Sequence, residues 1–171
     1  MASCLALTGC GGSVTRPDTS ASVVTPLANA KTHKATLVMT DAMKAKLADN
    51  LRFDENVLAS MINRRLEVAG AIADDAPYSV AVTITDVRVR SSFSAVMFGF
   101  MAGDDHIVGT VELRNAEMKP VHQFEVKASY AFGGFAGGQD SARMGYLYEK
   151  FSELVVVELR GPAPPAAKAS Q

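Results

Sequence analysis

Apolar residues recur along the chain with two periods, and each period predicts a different kind of element. After Asp54 they recur every three to four residues until Gly70, which is typical of an amphipathic helix with Asp54 as its N-cap. A longer stripe with the same period begins after Asp140 or Ser141, the candidate N-caps of a final helix, and ends before Gly161. Its apolar members are Met144, Leu147, Tyr148, Phe151, Leu154, Val155 and Leu159.

Alternation of apolar and polar residues predicts the strands, which are residues 35–39, 78–89, 106–114 and 121–132. The last two flank a turn and are expected to form an antiparallel hairpin, with Phe124 and Val126 among the inward side chains. In the stretch 78–89 the apolar parity changes at Asp86, which indicates a β-bulge near Thr85 and Asp86.

The order of these elements predicts the fold class. A short helical turn, capped by Asp41, precedes the firmer helix after Asp54, so the order is strand, helix, strand, strand, strand, helix. An antiparallel sheet must bury its apolar face, and two amphipathic helices are available to cover it. We therefore expect an α+β two-layer sandwich, with an antiparallel sheet of three to four strands, over residues 35–160.

Composition restricts the class of protein further. The chain has 171 residues, of which 48% are hydrophobic and 20% charged, as expected for one packed domain. Its net charge of -1 offers no argument for nucleic-acid binding. With two cysteines, Cys4 and Cys10, neither a disulfide scaffold nor a cysteine-based zinc site is expected. No apolar run approaches the roughly 18 residues of a membrane-spanning helix.

The N-terminus carries a localisation signal. Leu7-Thr8-Gly9-Cys10 has the apolar residue, two small residues and cysteine of the lipobox that bacterial lipoprotein signal peptidase reads. Residues 1–9 lack Lys and Arg, so we expect them to be the remnant of a truncated signal peptide. Cys10 would then be the lipidated first residue of the mature protein. The alternative is that Cys4 and Cys10 are incidental residues of a disordered N-terminus.

The flanking segments complete this organisation. Residues 10–34 are rich in Ser, Thr, Ala and Pro and are expected to form a lipidated flexible tether. Residues 161–171 are expected to be a disordered Ala/Pro tail. By similarity to enteric lipoproteins, Gly11 after the cysteine favours the outer membrane, so we expect the periplasmic side of its inner leaflet.

One connection stands out as a candidate contact surface. Residues 91–105 form a stretch of about fifteen residues, and connections of that length are usually functional or disordered. Its apolar residues suit an adaptable contact with a partner protein or with lipid. Alternatively, they fold back over an open end of the core. They are Phe93, Val96, Met97, Phe98, Phe100 and Met101.

Other candidate sites carry weaker signals. The run 104–106, Asp-Asp-His, would supply ligands to a metal, or it is a solvated turn before a strand. The run 133–138 before the last helix is similar to a phosphate cradle, or it is a closely packed turn. His33 and His122 are isolated in the sequence, so no hydrolase triad is indicated. We expect no catalytic residue, cofactor or metal.

Several short motifs support a family resemblance. The stretches Tyr78–Asp86, Gly99–Gly103, Val111–Asn115 and Gly133-Gly134 resemble a family of bacterial outer-membrane lipoproteins of unknown function. The chain departs from that family in the hairpin turn, where Asn-Ala-Glu at 115–117 replaces an Asp-x-x-x-Gly pattern. More distantly, the order of elements is similar to curli-secretion-type lipoproteins and to the lipoprotein that plugs the lipopolysaccharide-assembly barrel. These resemblances imply action through protein contacts and not catalysis.

Together these features predict a non-enzymatic, lipid-anchored envelope protein that acts as a binding or assembly subunit of a larger complex. Its membrane contact would be the lipid on Cys10, and its partner another envelope protein. The alternative is a carrier of a small apolar ligand or lipid, held between sheet and helices. The identity of the partner and the oligomeric state stay open.

Overall fold

The computed structural model describes residues 11–17, 27, 30–48, 53–90, 103–131 and 140–160. This part of the chain is α+β, and its sheet is mostly antiparallel, which confirms the predicted class. Its elements are β1 (Gly11–Thr15), β2 (Thr36–Met39), α1 (Asp41–Leu47), α2 (Glu55–Val68), β3 (Ser79–Arg88), β4 (Asp105–Arg114), β5 (Pro120–Tyr130) and α3 (Asp140–Arg160).

The sheet differs from the prediction in strand number and order. Over the described ranges it has five strands in the order β1-β5-β4-β3-β2, and it is mixed because β2 pairs parallel to β3. The expected purely antiparallel sheet of three to four strands with two helices is therefore wrong. The chain runs from β2 to β3 through α1 and α2, and such a long crossover permits parallel pairing. Local alternation contains no information about that direction.

The additional strand, β1, comes from the stretch expected to be a tether. Gly11 pairs with Ser129 and Thr15 with Glu125, so β1 extends the sheet antiparallel to β5. Farther along the same stretch, Leu27 is fully buried and its backbone N–H donates to the Leu159 carbonyl at 2.9 Å. These described parts of residues 10–34 belong to the folded domain, contrary to the expected flexible tether.

Gly12 explains why β1 sits where it does. A Cβ at this position would lie 2.7 Å from the Lys127 carbonyl oxygen and would collide with the Leu154 side chain. The missing side chain therefore lets α3 and the neighbouring strand approach β1 closely. Val14, two residues later on the same face, packs against the core.

The hydrophobic core lies between one face of the sheet and the helices α2 and α3. The inward parity expected for the hairpin is confirmed, and the helical stripes meet it across the core. Fully or almost fully buried members are Ile107, Val111 and Leu113 of β4, Phe124, Val126 and Ala128 of β5, Leu58, Ile62 and Leu66 of α2, and Leu147, Phe151 and Val155 of α3. Within the described ranges, none of the helices combines the length and apolarity needed to cross a bilayer.

The helix ends show which local signals were correct. Asp54 is confirmed as the N-cap of α2, because its carboxylate accepts from the Asn56 backbone N–H at 2.8 Å. After α2, Gly70 has a φ of 62°, the left-handed conformation that ends many helices. For α1 the expected cap Asp41 is wrong. The cap is Thr40, whose hydroxyl accepts from the Met43 backbone N–H at 3.2 Å.

The predicted bulge in β3 is confirmed. Ile84 pairs with Gly109 and Asp86 with Val108, so the register shifts between Ile84 and Asp86. Val80, Val82 and Ile84 face the core before the bulge, and Val87 does so after it. The shift therefore turns Asp86 to the outer face of the sheet, beside residues of β4.

Candidate functional site

A buried ionic cluster lies where β3, β4 and α3 meet at one end of the sheet. The Asp105 carboxylate, fully buried, accepts from the Arg90 backbone N–H at 2.6 Å and from Arg90 Nε at 3.2 Å. Its other oxygen accepts from Arg143 Nη1 at 2.7 Å. The side chains of Arg90 and Arg143 are 2% and 1% exposed. We call Arg90, Asp105 and Arg143 the arginine–aspartate cluster.

The cluster also holds backbone groups of the surrounding elements. Arg90 Nη1 donates to the Gly103 carbonyl at 2.7 Å, and Arg90 Nη2 donates to the Tyr130 carbonyl at 3.3 Å. Arg143 Nη2 donates to the Arg90 carbonyl at 3.2 Å. The ends of β3, β5 and the start of β4 are thereby joined to the first turn of α3. These are the residues from which the connections 91–102 and 132–139 depart and to which they return.

Sequence reasoning did not select Arg90 or Arg143, although signals for this cluster were present. Arg143 lies four residues before Leu147, on the apolar stripe of α3. Asp105 has the same strand parity as Ile107 and Val111, which face the core. A charge in an apolar face requires a buried partner, and opposite charges in two such faces indicate a buried ion pair.

For residues 104–106 the expected solvated turn is wrong at Asp105. Asp105 is fully buried, and it pairs with two arginines. No group of three or more His, Cys, Asp or Glu side chains suited to a metal ion occurs in the described ranges. The Asp105 oxygens already accept hydrogen bonds from the guanidinium groups of Arg90 and Arg143. Asp105 therefore holds these two arginines in the positions from which they bind the backbone of the neighbouring strand ends.

On the outer face of the sheet, His106 lies between two carboxylates. Its Nε2 is 3.0 Å from Asp86 Oδ2, and its Nδ1 is 3.3 Å from Asp104 Oδ1. Lys46 Nζ of α1 lies 2.5 Å from Asp86 Oδ1, and Lys127 Nζ of β5 lies 3.7 Å from Asp104 Oδ2. Hydrogen bonds from Lys46 and then from His106 lower the pKa of Asp86 to about 2. This row of charges links α1 to three strands.

Asp86 should therefore titrate at about pH 2 in the folded protein, below the ~3.9 of an unperturbed aspartate. Because its folded pKa is depressed, its stabilisation is present above about pH 4 and is lost as the pH falls through about 2. The carboxylate is 41% exposed, so solvent screening limits the contribution to below about 1 kcal/mol. The Lys46→Met variant should raise the midpoint, measured from the carboxyl carbon shift by NMR. Lys44→Met, on the same helix, is the matched control, and an equal rise in both variants would contradict the assignment.

A second ionic contact attaches the N-terminal residues to the domain. Arg16 Nε and Nη2 donate to the two oxygens of Glu158 at 2.5 and 2.6 Å. His122 Nε2 lies 3.2 Å from the same carboxylate, so this histidine, isolated in the sequence, has a partner in the fold. Burial alone would raise the pKa of Glu158, but the bonds from Arg16 and His122 outweigh it and the pKa lies below its usual value.

Most of the sequence-predicted site residues fall outside the described residues. Cys10 directly precedes the first described residue, Gly11, and the glycine-rich run 133–138 is likewise outside. So are the candidate contact residues Phe93, Val96, Met97, Phe98, Phe100 and Met101. The described residues around them fix only where these stretches attach to the fold.

Comparison with known proteins defines the family. The family described as a domain of unknown function, DUF4410, matches residues 14–134, and the chain belongs to it. This agrees with the expected resemblance to an uncharacterised family. The match itself contains no statement about lipidation or curli secretion. No curated protein matches the sequence.

Two solved structures similar to the chain are PelC dodecamers from Paraburkholderia phytofirmans, one of them with a leucine-to-methionine substitution. Each is 16% identical to the chain, and each match covers 89% of this chain and 99% of that chain. The TM-scores are 0.48 for the substituted protein and 0.49 for the other.

Proposed function

We propose that the protein is a non-enzymatic, lipid-anchored protein of the bacterial envelope, on the periplasmic side of the outer membrane. It acts as a binding or assembly subunit of a larger envelope complex. The observation that carries this proposal is the lipobox Leu7-Thr8-Gly9-Cys10, which immediately precedes Gly11, the first residue of β1. Signal peptidase cleavage before Cys10 in this motif would make it the acylated first residue of the mature chain.

The arginine–aspartate cluster supports the choice of contact surface. The candidate contact residues lie between Arg90 and Gly103, and the Arg90 guanidinium binds the Gly103 carbonyl directly. One end of that apolar stretch is therefore held by the buried ion pair of Arg90 with Asp105, and the other end by the hydrogen bond from Arg90 to the Gly103 carbonyl. We propose that its phenylalanines and methionines contact the partner protein, since such side chains adapt to irregular apolar surfaces.

Acylation tests the proposal. The chain from Cys10 onward is expressed behind an established lipoprotein signal peptide and labelled with an alkyne analogue of palmitate. The parent protein should take up the label and sediment with outer membranes, and Cys10→Ala should lose both properties. Ser13→Ala, a small change in the same region, is the control and should keep them. Label that persists in Cys10→Ala would overturn the anchor.

The same lipidated protein tests the contact surface. The double variant Phe98→Asp, Phe100→Asp should lose the partner in crosslinked pull-downs while its unfolding midpoint stays that of the parent. Val68→Asp is the control, because Val68 is 80% exposed on α2, outside the candidate stretch. Unchanged recovery in an intact fold contradicts the proposed surface. Strong destabilisation would instead show that these residues pack on the core, and an apolar ligand that co-purifies would favour the carrier.

A further inference from the structure

We propose that the end of the sheet at which β1 begins lies directly on the lipid bilayer, and that the β4–β5 turn points away from it. The proposal rests on the proposed acylation of Cys10. It goes further because an acyl anchor by itself sets no orientation. A domain on a long tether would rotate freely above the membrane. In this domain, by contrast, the end of the sheet at which β1 begins is held against the lipid.

The first step concerns the reach of the anchor. Gly11, the residue after Cys10, is already paired in the sheet with Ser129. Consecutive Cα atoms are about 3.8 Å apart, so Cys10 lies within one residue of the sheet edge. The polar layer on each side of a bilayer is about 5–8 Å thick, from the difference between its total and hydrocarbon thickness. Acyl chains on Cys10 thus bring Gly11 into or against that layer.

The second step is that β1 is paired along its whole length and so cannot act as a flexible linker. It pairs with β5 at five positions, from Gly11 to Thr15, and the Ser129 hydroxyl donates to the Gly11 carbonyl at 3.4 Å. Directly after β1, the guanidinium of Arg16 bonds both oxygens of Glu158, whose side chain is 8% exposed. The stretch from Gly11 to Arg16 is therefore fastened to both β5 and α3.

The third step concerns the side chains at the same end. Register across the sheet places Gly11, Ser129, His106 and Arg88 in one row. Arg88 is exposed and adds a positive charge to this end of the sheet, which favours an anionic lipid surface. Tyr130, one residue beyond that row, packs with Tyr146 of α3 at a ring-centroid distance of 5.3 Å, and both are half-buried. Tyrosine is enriched at the boundary between lipid and water.

The fourth step is the length of the sheet, which separates the two ends. The strand β4 runs for ten residues from Asp105 to Arg114, which is on the order of 34 Å at about 3.4 Å per residue. Glu117, in the turn after β4, is exposed. The turn is then too far from the bilayer to touch it, and the two ends are distinguishable by experiment.

The orientation also bears on the partner. The connections 91–102 and 132–139 leave the fold at the ends of β3 and β5, which is the end proposed to meet lipid. A protein that binds where these connections leave the fold would be met at the membrane surface. The partner class that fits is therefore a membrane-embedded protein of the envelope.

Fluorescence quenching by a nitroxide on the lipid headgroup, compared at two label positions, tests the orientation. Acylation blocks Cys10 and processing removes Cys4, so one introduced cysteine is the unique thiol of a chain with two cysteines. Ser141→Cys places a label in the first turn of α3, beside Arg143 and the lipid end. Glu117→Cys places it in the opposite turn. Each lipidated protein is bound to phosphatidylethanolamine–phosphatidylglycerol vesicles that contain a lipid with a nitroxide on its headgroup. We expect strong quenching at position 141 and little at 117.

The outcomes separate the two proposals. Equal quenching at the two positions, or more at 117, in acylated and vesicle-bound protein overturns the orientation and leaves the anchor intact. Absence of acylation overturns the proposed function itself.

A variant that releases β1 tests the second step. Gly12→Val should dislodge β1, because its side chain collides with Leu154, and quenching at 141 should fall while acylation persists. Gly145→Ala is the control, since a Cβ there meets nothing within 4 Å. If Gly12→Val does not fold, Arg16→Ala tests the same step, and unchanged quenching in a folded, β1-released variant counts against the proposal.

Discussion

Replacing Asp105 with asparagine is expected to lower the free energy of unfolding by about 3–5 kcal/mol, the range for breaking a buried ion pair by removing one partner. The change removes the carboxylate that pairs with two guanidinium groups, on Arg90 and Arg143, which are 2% and 1% exposed. It also weakens the contacts that link the end of β3, the start of β4 and the end of β5, because Arg90 donates to the Gly103 and Tyr130 carbonyls from this position.

Urea denaturation followed by circular dichroism measures this loss. Asp75→Asn, the same chemical change at an exposed turn, is the matched control and should shift stability by at most about 0.5 kcal/mol. A loss below about 1 kcal/mol for the Asp105 variant would show that the cluster contributes little to folding. The proposed role of the cluster in holding the two connections would then lose its support.

Phe151→Ala should cost a similar amount, about 3–5 kcal/mol, because it opens a cavity at the centre of the core. Phe151 is fully buried on α3. The tip of its ring, Cζ, lies 3.0 Å from where a Cβ on Gly109 would be, so the ring packs directly on the glycine of β4. The Ile84 side chain of β3 reaches the same point at 3.3 Å, so the ring is enclosed by β3 and β4 and its removal leaves a cavity between them.

Val157→Ala, on the same helix, is the control for this variant. Val157 is 38% exposed, so its truncation removes little buried surface and should cost below about 1 kcal/mol. Thermal or urea unfolding of both variants gives the comparison. Equal losses at the two positions would contradict the assignment of Phe151 to the core.

The elements that the sequence predicted well are those whose information is local. For α2, the cap at Asp54 and the ending at Gly70 are signals that need no tertiary context. The bulge before Asp86 was visible as a change of parity, because a one-residue shift reverses which side chains face the core. The hairpin strands were also correct in parity, and their observed bounds differ from the expected ones by at most two residues.

The elements that were missed depend on distant partners. The stretch Gly11–Thr15 has one apolar core contact, at Val14, and its pairing with β5 becomes visible only once β5 and α3 are in place. The direction of β2 is set by the crossover through α1 and α2, which no window of residues 36–39 contains. The arginine–aspartate cluster is an intermediate case. It depends on partners that are distant in the sequence, but the occurrence of Arg143 within an apolar stripe is visible in the sequence.

The contacts that hold β1 and the residues after it have a consequence for the order in which the chain folds. Arg16 and Glu158 are 142 positions apart, and the Leu27 backbone bonds the Leu159 carbonyl in the final turn of α3. In the exported, acylated protein that we propose, a chain translocated N-terminus first delivers Cys10 before the surfaces that hold the adjoining strand. Under that proposal, acylation of Cys10 can precede closure of the domain. Contacts of such large sequence separation form late in folding, so α3, which follows the other described elements in the sequence, is the element that completes the fold.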